Sequence, residues 1–435
     1  MMGPRAAIEQ GRMSGWQWAA VAVTVGLNAL DGFDVLSISF ASPGIAREWG
    51  TSPSTLGWIL SMELLGMAVG SVLLGGVADM VGRRRTILGC LVAMTAGMWG
   101  AGQAGGVGTL LAWRLLTGLG IGGMLAAINA AAAEFANKRW YSLAMALMVI
   151  GYPIGGVLGG LAVQGILGAG GGWRDVFHFG AIVTALFIPL TWFLVPETIA
   201  FLDRRQPPGA LERINRTLRR FGHAAVEALS LRDTGSQRGS VADIFGPTLI
   251  RTTLLITLAY FAHIMSFYFV LKWVPKIVVD MGFEAKAAAG VLTWANVGGA
   301  SGGALFGLAA IRFGLKRLSI VILFASTLLI FAFGQVAGNV GLGALSAMVL
   351  ATGFFTNAAI VGLYTLFARV FPTHVRATGT GFAIGIGRGG AALAPIIAGY
   401  LFEAGLTLAT ISLVMGLGSA VAAVALIAMR EKDAE

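Results

Sequence analysis

Long apolar runs alternate with short polar turns along most of the chain, and each run approaches the roughly 20 helical residues needed to cross the ~30 Å hydrocarbon core of a bilayer. The runs fall near residues 17–41, 55–78, 86–103, 107–133, 141–167 and 175–196. The pattern then stops. Residues 197–248 are polar and charged, with Pro207, Pro208 and Gly209 ahead of Leu211, Ile214, Leu218 and Phe221 at helical spacing, as in an amphipathic helix lying in solvent or at an interface. Six further runs follow near 250–274, 287–311, 318–336, 341–367, 377–401 and 405–429. The pattern predicts an all-α membrane protein of twelve transmembrane helices in two six-helix halves, residues 1–196 and 249–435, joined by the linker 197–248.

Sorting Lys and Arg by alternate turns tests this layout. One set of turns holds Arg5, Arg12, Arg83, Arg84, Arg85, Lys138 and Arg139, then Arg204, Arg205, Arg213, Arg216, Arg219, Arg220, Arg232, Arg238 and Arg251, and finally Arg312, Lys316, Arg317, Arg369, Arg376, Arg430 and Lys432. The opposite set holds Arg47, Arg174, Lys276 and Lys286. The asymmetry places both termini and the linker in the cytoplasm, and a one-span error would destroy it. Only 11% of residues are charged and 57% are apolar, against roughly 25% charged in a soluble domain. The net charge of +10 therefore reports topology and implies no nucleic-acid partner. The single cysteine, Cys90, excludes an intrachain disulfide, and one thiol with four histidines is too few for a structural metal cluster, so no metal or cofactor is expected. The first apolar run is too long for a signal-peptide core and reads as a retained span.

An internal repeat is visible. The turn after the second run reads Gly75-Gly76-Val77-Ala78-Asp79-Met80-Val81-Gly82-Arg83-Arg84-Arg85, and Gly307 to Arg317 after the eighth keeps Arg312, Gly314, Lys316 and Arg317 in register, as parallel halves related by an axis along the membrane normal require. With these residues the chain resembles a major facilitator superfamily transporter over essentially its whole length. Met80 departs from that family's signature loop where a basic residue is usual, and Ile311 replaces the acidic residue of the second copy. The resemblance implies gating roles for Asp79, Gly82, Arg83, Glu134, Arg139 and Arg376. Asn28-Ala29-Leu30-Asp31-Gly32-Phe33-Asp34 in the first run and Gly385-Ile386-Gly387-Arg388-Gly389-Gly390 in the eleventh are similar to the aromatic acid/proton symporter family. That likeness implies a monomeric transporter in a bacterial-type inner membrane, importing small aromatic carboxylates of the benzoate or hydroxybenzoate type with protons by alternating access. Other small organic anions are an alternative, and Gly151-Tyr152-Pro153-Ile154-Gly155-Gly156, which partly resembles the antiporter motif of drug exporters, keeps a drug/proton antiporter open. No Ser/His/Asp or metal-ligand spacing points to an enzyme, and a receptor would need a sensory domain where this sequence spends nearly everything on spans.

An ionisable side chain at mid-membrane costs a few kcal/mol or more unless it is partnered, hydrated or functional. Asp31, Asp34, Glu63, Arg114, His263, Lys272 and Arg388 are the candidates. Asp31 and Asp34 share a helix face, where two close carboxyls favour retention of one proton, so they are expected to couple protons together with Arg114 and Glu63. At ~1.5 Å per residue, Asp31 and Arg114 fall at similar depths, which makes Arg114 the natural counter-ion of Asp31. Arg388 has no obvious acidic partner, and its planar fork suits a substrate carboxylate. Lys272 is expected to snorkel to the outer surface. Asp79 is expected at a helix N-terminus. The substrate site is expected to comprise Arg388, His263, Asn28, Phe33, Tyr152, Tyr268, Trp294, Asn296, Asn357 and Tyr364, whose rings and amides lie at cavity depth.

Overall fold

The computed structural model describes residues 4–230, 241–336, 340–372 and 374–429. Arg232, Arg238, Arg430 and Lys432, counted above among the basic residues of one side, lie outside the described residues. Among those described, the chain forms fifteen α-helices: α1 (Pro4–Gln10), α2 (Gly15–Trp49), α3 (Pro53–Val81), α4 (Arg83–Gly102), α5 (Val107–Phe135), α6 (Tyr141–Gly168), α7 (Trp173–Leu194), α8 (Ile199–Arg205), α9 (Ala210–Arg220), α10 (Ile250–Asp280), α11 (Ala285–Phe313), α12 (Leu315–Val336), α13 (Leu342–Val370), α14 (Arg376–Glu403) and α15 (Leu408–Ala428). Ten are long and apolar enough to cross a membrane. Two further long helices are α4, which opens on three arginines, and α11, which is rich in glycine and alanine.

Local chemistry sets the helix starts. Ser14 and Gln17 form a reciprocal capping box at α2, and Ser52 caps α3 with Pro53 at its first position, where a missing N–H costs nothing. Two helices run past the ends of their apolar sequence. α2 continues to Trp49 through Pro43, and α10 continues to Asp280 through Pro275. Arg47 and Lys276 therefore sit near helix ends instead of in turns, and Lys276 pairs with Asp280 one turn on.

The packing carries the internal repeat. In the first group α2 packs on α6 and α7, α3 on α5, and α4 on α5 and α7; in the second, α10 packs on α14 and α15, α11 on α13, and α12 on α13 and α15. Every pair in one set has its counterpart in the other. The groups meet where α3 packs on α14, α6 on α11, and α2 on α10. α8 and α9 lie outside the long helices, and α9 buries Ala210, Ile214 and Leu218.

Close backbone approach makes these pairings possible, and glycine is what allows it. A Cβ on Gly155 would lie 1.7 Å from the Ala29 carbonyl oxygen, and one on Gly32 would lie 2.0 Å from that of Tyr152. The glycines around Tyr152 in α6 thus have a packing explanation, independent of any transport motif. At the Trp49/Pro53 end the two groups are sealed. Cβ atoms on Gly57 and Gly399 would each lie 2.5 Å from a backbone oxygen, of Pro395 and Pro53 respectively. The Ser54 N–H donates to Glu403 at 3.0 Å, and Gln164 of α6 donates to Thr293 of α11 at 3.1 Å.

Gly155→Ala should lower thermal stability by about 1–3 kcal/mol, because the clash is with backbone that no rotamer change relieves. Gly165→Ala in the same helix, where a Cβ meets open space, should be neutral or slightly stabilising. Thermal unfolding of both variants in detergent checks the contrast, and equal midpoints would refute the packing explanation.

Candidate functional site

A cavity of about 270 Å³ lies between the two helix groups, on the α8 and α9 side of the seal, bounded by α2, α3, α5 and α6 on one wall and α10, α13 and α14 on the other. Asn28, Tyr152, Tyr268, Asn357, Tyr364 and Arg388, six of the residues expected at a substrate site, line it. The Asn28 side-chain amide donates to the Met148 carbonyl, tying α2 to α6. Arg388 reaches across from α14 and donates through Nη1 to the Met67 carbonyl of α3 at 3.1 Å. The Tyr260 and Tyr364 hydroxyls lie 3.0 Å apart. Tyr260 was not expected here, although it stands eight residues before Tyr268 on α10 and so falls on the same helix face.

Four of the expected residues do not line this cavity. Phe33 is buried against Phe179, with ring centroids 5.6 Å apart. Trp294 faces outward, 48% exposed. Asn296 donates to the Leu292 carbonyl at 2.9 Å beside a much smaller void next to Tyr152 and Asn357. His263 is fully buried, with Nε2 2.9 Å from the Thr356 carbonyl oxygen and Nδ1 2.9 Å from the Ser419 hydroxyl. A carbonyl can only accept, so Nε2 carries a proton and donates to it, and the imidazole ties α10 to α13 and, through the Ser419 hydroxyl, to α15. Depth along a helix carries no information on the face that a residue occupies, which is what separates these four from the cavity.

Beyond the cavity, toward the seal, Asp31, Asp34, Glu63, Arg114 and Lys272 are all fully buried. Arg114 pairs with Glu63, donates to the Asp34 backbone carbonyl at 3.0 Å, and lies over the Phe177 ring at 5.3 Å. Its partner is therefore Glu63, not Asp31. Lys272 donates to the Val35 carbonyl of α2 and lies 4.0 Å from the same Glu63 carboxylate. It does not snorkel, because α10 continues to Asp280 and leaves it about 12 Å short of the helix end. Glu63 thus links two cations, one from each helix group. The Asp31 and Asp34 carboxyl oxygens are shielded from solvent and hydrogen-bond no protein atom among the described residues. Asp31 lies within electrostatic reach of Asp34, Glu63 and Arg388, which gives Arg388 the acidic neighbour that its sequence position did not reveal.

At the α8 end, Asp79, Gly82, Arg83 and Glu134 come together. Arg83 Nη2 lies 3.3 Å from Asp79 and 3.4 Å from Glu134. Asp79 occupies the last turn of α3, not a helix N-terminus. The N-terminus of α4 is filled instead by Glu197, whose carboxylate accepts from the backbone N–H groups of Arg83 at 2.9 Å and Arg84 at 3.4 Å. Burial holds the Glu197 carboxyl above its usual range, against the lowering effect of those N–H donors. Gly82 adopts φ +112°, and a Cβ there would lie 2.3 Å from Glu197 Oε2. Gly314 repeats the positive φ at +77° in the second copy, where Ile311 is 84% exposed. Arg139 and Arg376 stand apart from this cluster. Arg139 is exposed over Trp140, and Arg376 donates to the Phe371 carbonyl at 3.3 Å.

Residues 24–307 match the family profile described as the Major Facilitator Superfamily. The chain is 28% identical to the gallate transporter of Pseudomonas putida over 97% of its length and 93% of that protein. It is 30% identical to the 3-(3-hydroxy-phenyl)propionate transporter of Escherichia coli strain K12 over 88% of its length and 87% of the relative. Among solved structures, a D-xylose-proton symporter matches with a TM-score of 0.73 at 18% identity, covering 96% of this chain and 98% of the other. A bacterial homolog of the human lysosomal transporter Spinster, inward-facing and occupied, matches with a TM-score of 0.74 at 14% identity, covering 97% and 98%. With its repeated helix pairings, the α3–α4 turn and the profile match, the chain is a multi-pass membrane protein that belongs to the Major Facilitator Superfamily.

Proposed function

We propose that the protein is a proton-coupled importer of small aromatic carboxylates in a bacterial inner membrane, acting as a monomer. Its twelve long helices all span the bilayer, with both termini and the linker in the cytoplasm. The single observation that carries the substrate reading is Arg388, held in a mid-depth cavity ringed by Tyr152, Tyr260, Tyr268 and Tyr364. A guanidinium fork set among aromatic rings is complementary to a flat ring bearing one carboxylate. The aromatic-acid relatives, which include a 4-hydroxybenzoate transporter and a benzoate transport protein, support the same class. A drug exporter selecting cations would gain nothing from this arginine.

The coupling follows from competition for one cation. Arg388 is the cation within electrostatic reach of Asp31. When a substrate carboxylate takes the Arg388 fork, an ionised Asp31 is left buried beside Asp34 and Glu63 with no compensating charge, at a cost of several kcal/mol. A proton on Asp31 removes that cost. Substrate and proton therefore load together, and neither is stably held alone in the occluded site. Residues 1–196 and 249–435 are the moving halves, and the cavity's position on the linker side of the seal corresponds to an inward-facing state. In this state Lys272 fastens the outer side by holding α10 against Val35 and Glu63. On the opposite side, the Asp79, Arg83 and Glu134 cluster, braced by Glu197, joins α3, α4 and α5, and Arg139 and Arg376 flank the cytoplasmic opening.

Arg388→Lys should weaken carboxylate binding by roughly 10- to 150-fold, corresponding to about 1.5–3 kcal/mol for a lost charge-assisted bond. The matching aromatic amide should bind weakly and be nearly indifferent to the change. Calorimetric titration of acid and amide separates the readings, since equal losses would mean that Arg388 serves only to hold Met67 and α3. Asp31→Asn should abolish pH-driven accumulation in proteoliposomes while counterflow exchange persists; full accumulation against a substrate gradient would remove Asp31 from coupling. In a Cys90→Ala background with a cysteine placed at Ser54, Lys272→Gln should raise the maleimide labelling rate severalfold as the outer side opens. An unchanged rate would show that Lys272 is not a fastener.

A further inference from the structure

A second cavity, of about 180 Å³, lies at the opposite end of α7 from Trp173, between α4, α7 and α9. Arg84, Trp192, Glu197, Arg213, Arg216 and Arg220 line it. Arg213, Arg216 and Arg220 fall at i, i+3 and i+7 on α9, and so form one strip opposite Arg84. Arg84 is within electrostatic reach of both Arg213 and Arg220. Two acids nearby offset only part of this charge, Glu197 lying within electrostatic reach of Arg84. Glu197 Oε1 is turned onto backbone N–H groups, and Glu212 pairs with Arg216 at 2.9 Å, with both side chains at least 75% exposed.

Arg84 and Arg220 each donate to one carbonyl at the end of α7, of Trp192 and Phe193, which caps that helix. That task uses one of the five donors on each guanidinium. The Arg84 Nε–H is shielded from solvent and has no hydrogen-bond partner among the described residues. Four guanidiniums against two carboxylates leave this small void with an excess of positive charge, and phosphate offers the oxygen geometry that Arg recognises. The apolar surface beside the void indicates where that phosphate comes from. Ile182, Leu186, Leu190 and Phe193 recur every three or four residues on α7, each more than 40% exposed, and Trp192 stands at the rim with its indole under Arg84. A headgroup pocket thus continues directly into a stripe for acyl chains.

We infer that this pocket binds the headgroup of an anionic phospholipid from the leaflet that α8 and α9 face, with its chains along α7. The lipid would bridge the linker helix α9 to the first helix group through Arg84 and α7. The inference needs only that α7 spans the bilayer, and stands or falls independently of the substrate at Arg388.

Native mass spectrometry of the purified full chain, titrated with phosphatidylglycerol or phosphatidylcholine in detergent, tests it. Phosphatidylglycerol should be retained at least tenfold more strongly than phosphatidylcholine. Each guanidinium near a charged lipid is good for about fivefold in binding, so Arg213→Gln should weaken retention about fivefold and Arg213→Gln/Arg216→Gln about 30-fold. Arg312→Gln, an exposed cation of the other helix group, should retain it like the wild type. Inorganic phosphate at equal concentration should not displace the lipid. Equal retention of the two lipids, wild-type retention by the Arg213 variants, an equal loss in Arg312→Gln, or displacement by free phosphate would each overturn the proposal. Because the Arg213 side chain makes no hydrogen bond or ion pair among the described residues, its single substitution keeps the test open should the double variant misfold.

Discussion

Charge inside an apolar bundle is the constraint on which the rest of this molecule depends. Asp31, Asp34, Glu63, Arg114 and Lys272 are shut away from solvent within one layer of helices. Each would be costly alone, and removing one partner of a buried pair typically costs more than the pair contributes. Their arrangement is therefore tightly coupled to where the helices stand. Glu63 of α3 lies between Arg114 of its own group and Lys272 of the other. Separating the groups at this level strips Glu63 of one cation and leaves the Lys272 ammonium without the Val35 carbonyl. The layer tolerates a different helix arrangement only if a charge is neutralised or another partner is supplied, which is the property an alternating-access transporter requires.

Glycine sets the complementary condition. Helices that carry charges toward a shared centre must approach closely enough for short side chains to meet, and the backbone contacts at Gly32, Gly66, Gly118 and Gly155 hold α2 to α6 and α3 to α5 at that distance. The same device recurs at Gly298, Gly302 and Gly353 between α11 and α13. Within each group the packing is thus backbone on backbone, with little side-chain flexibility to absorb movement. Between groups, below the seal, the wall of the cavity is made of long side chains such as Tyr152, Tyr268 and Arg388. Stiff groups joined across a softer boundary favour rigid-body motion at that boundary over deformation within either group.

The sequence revealed whatever depends on position along a helix and concealed whatever depends on direction around it. The long helices and the repeat were legible because hydropathy and the order of turn residues are one-dimensional properties. Position along the helix suggested Asp31 as the partner of Arg114, yet Arg114 pairs with Glu63, and His263 turns both nitrogens to neighbouring helices. Lys272 was misjudged for a related reason. The apolar run of α10 ends near residue 274 while the helix continues to Asp280, so composition understated how far the lysine lies from the surface. Glu197 left no signal of its own, because its role at the start of α4 arises from a tertiary return of the chain after α7 and not from local spacing.

In the proposed mechanism the two layers of charge act in series. Arg388 already spans the groups, donating from α14 to the Met67 carbonyl of α3 just inside the cavity, while Lys272 spans them nearer the seal. A substrate carboxylate that draws the Arg388 fork toward itself removes one tie between the groups and, through Asp31, raises the demand for a proton in the layer above. A proton that then reaches Glu63 instead of Asp31 would cancel the attraction holding Lys272 and release the second tie. The order matters physically. A proton on Glu63 alone would leave Arg114 and Lys272 buried as like charges, whereas prior protonation at Asp31 removes a negative neighbour of Glu63 and strengthens its hold on both cations. Loading thus tightens the outer fastening, and release of substrate and proton to the linker side must come first before Lys272 can let go.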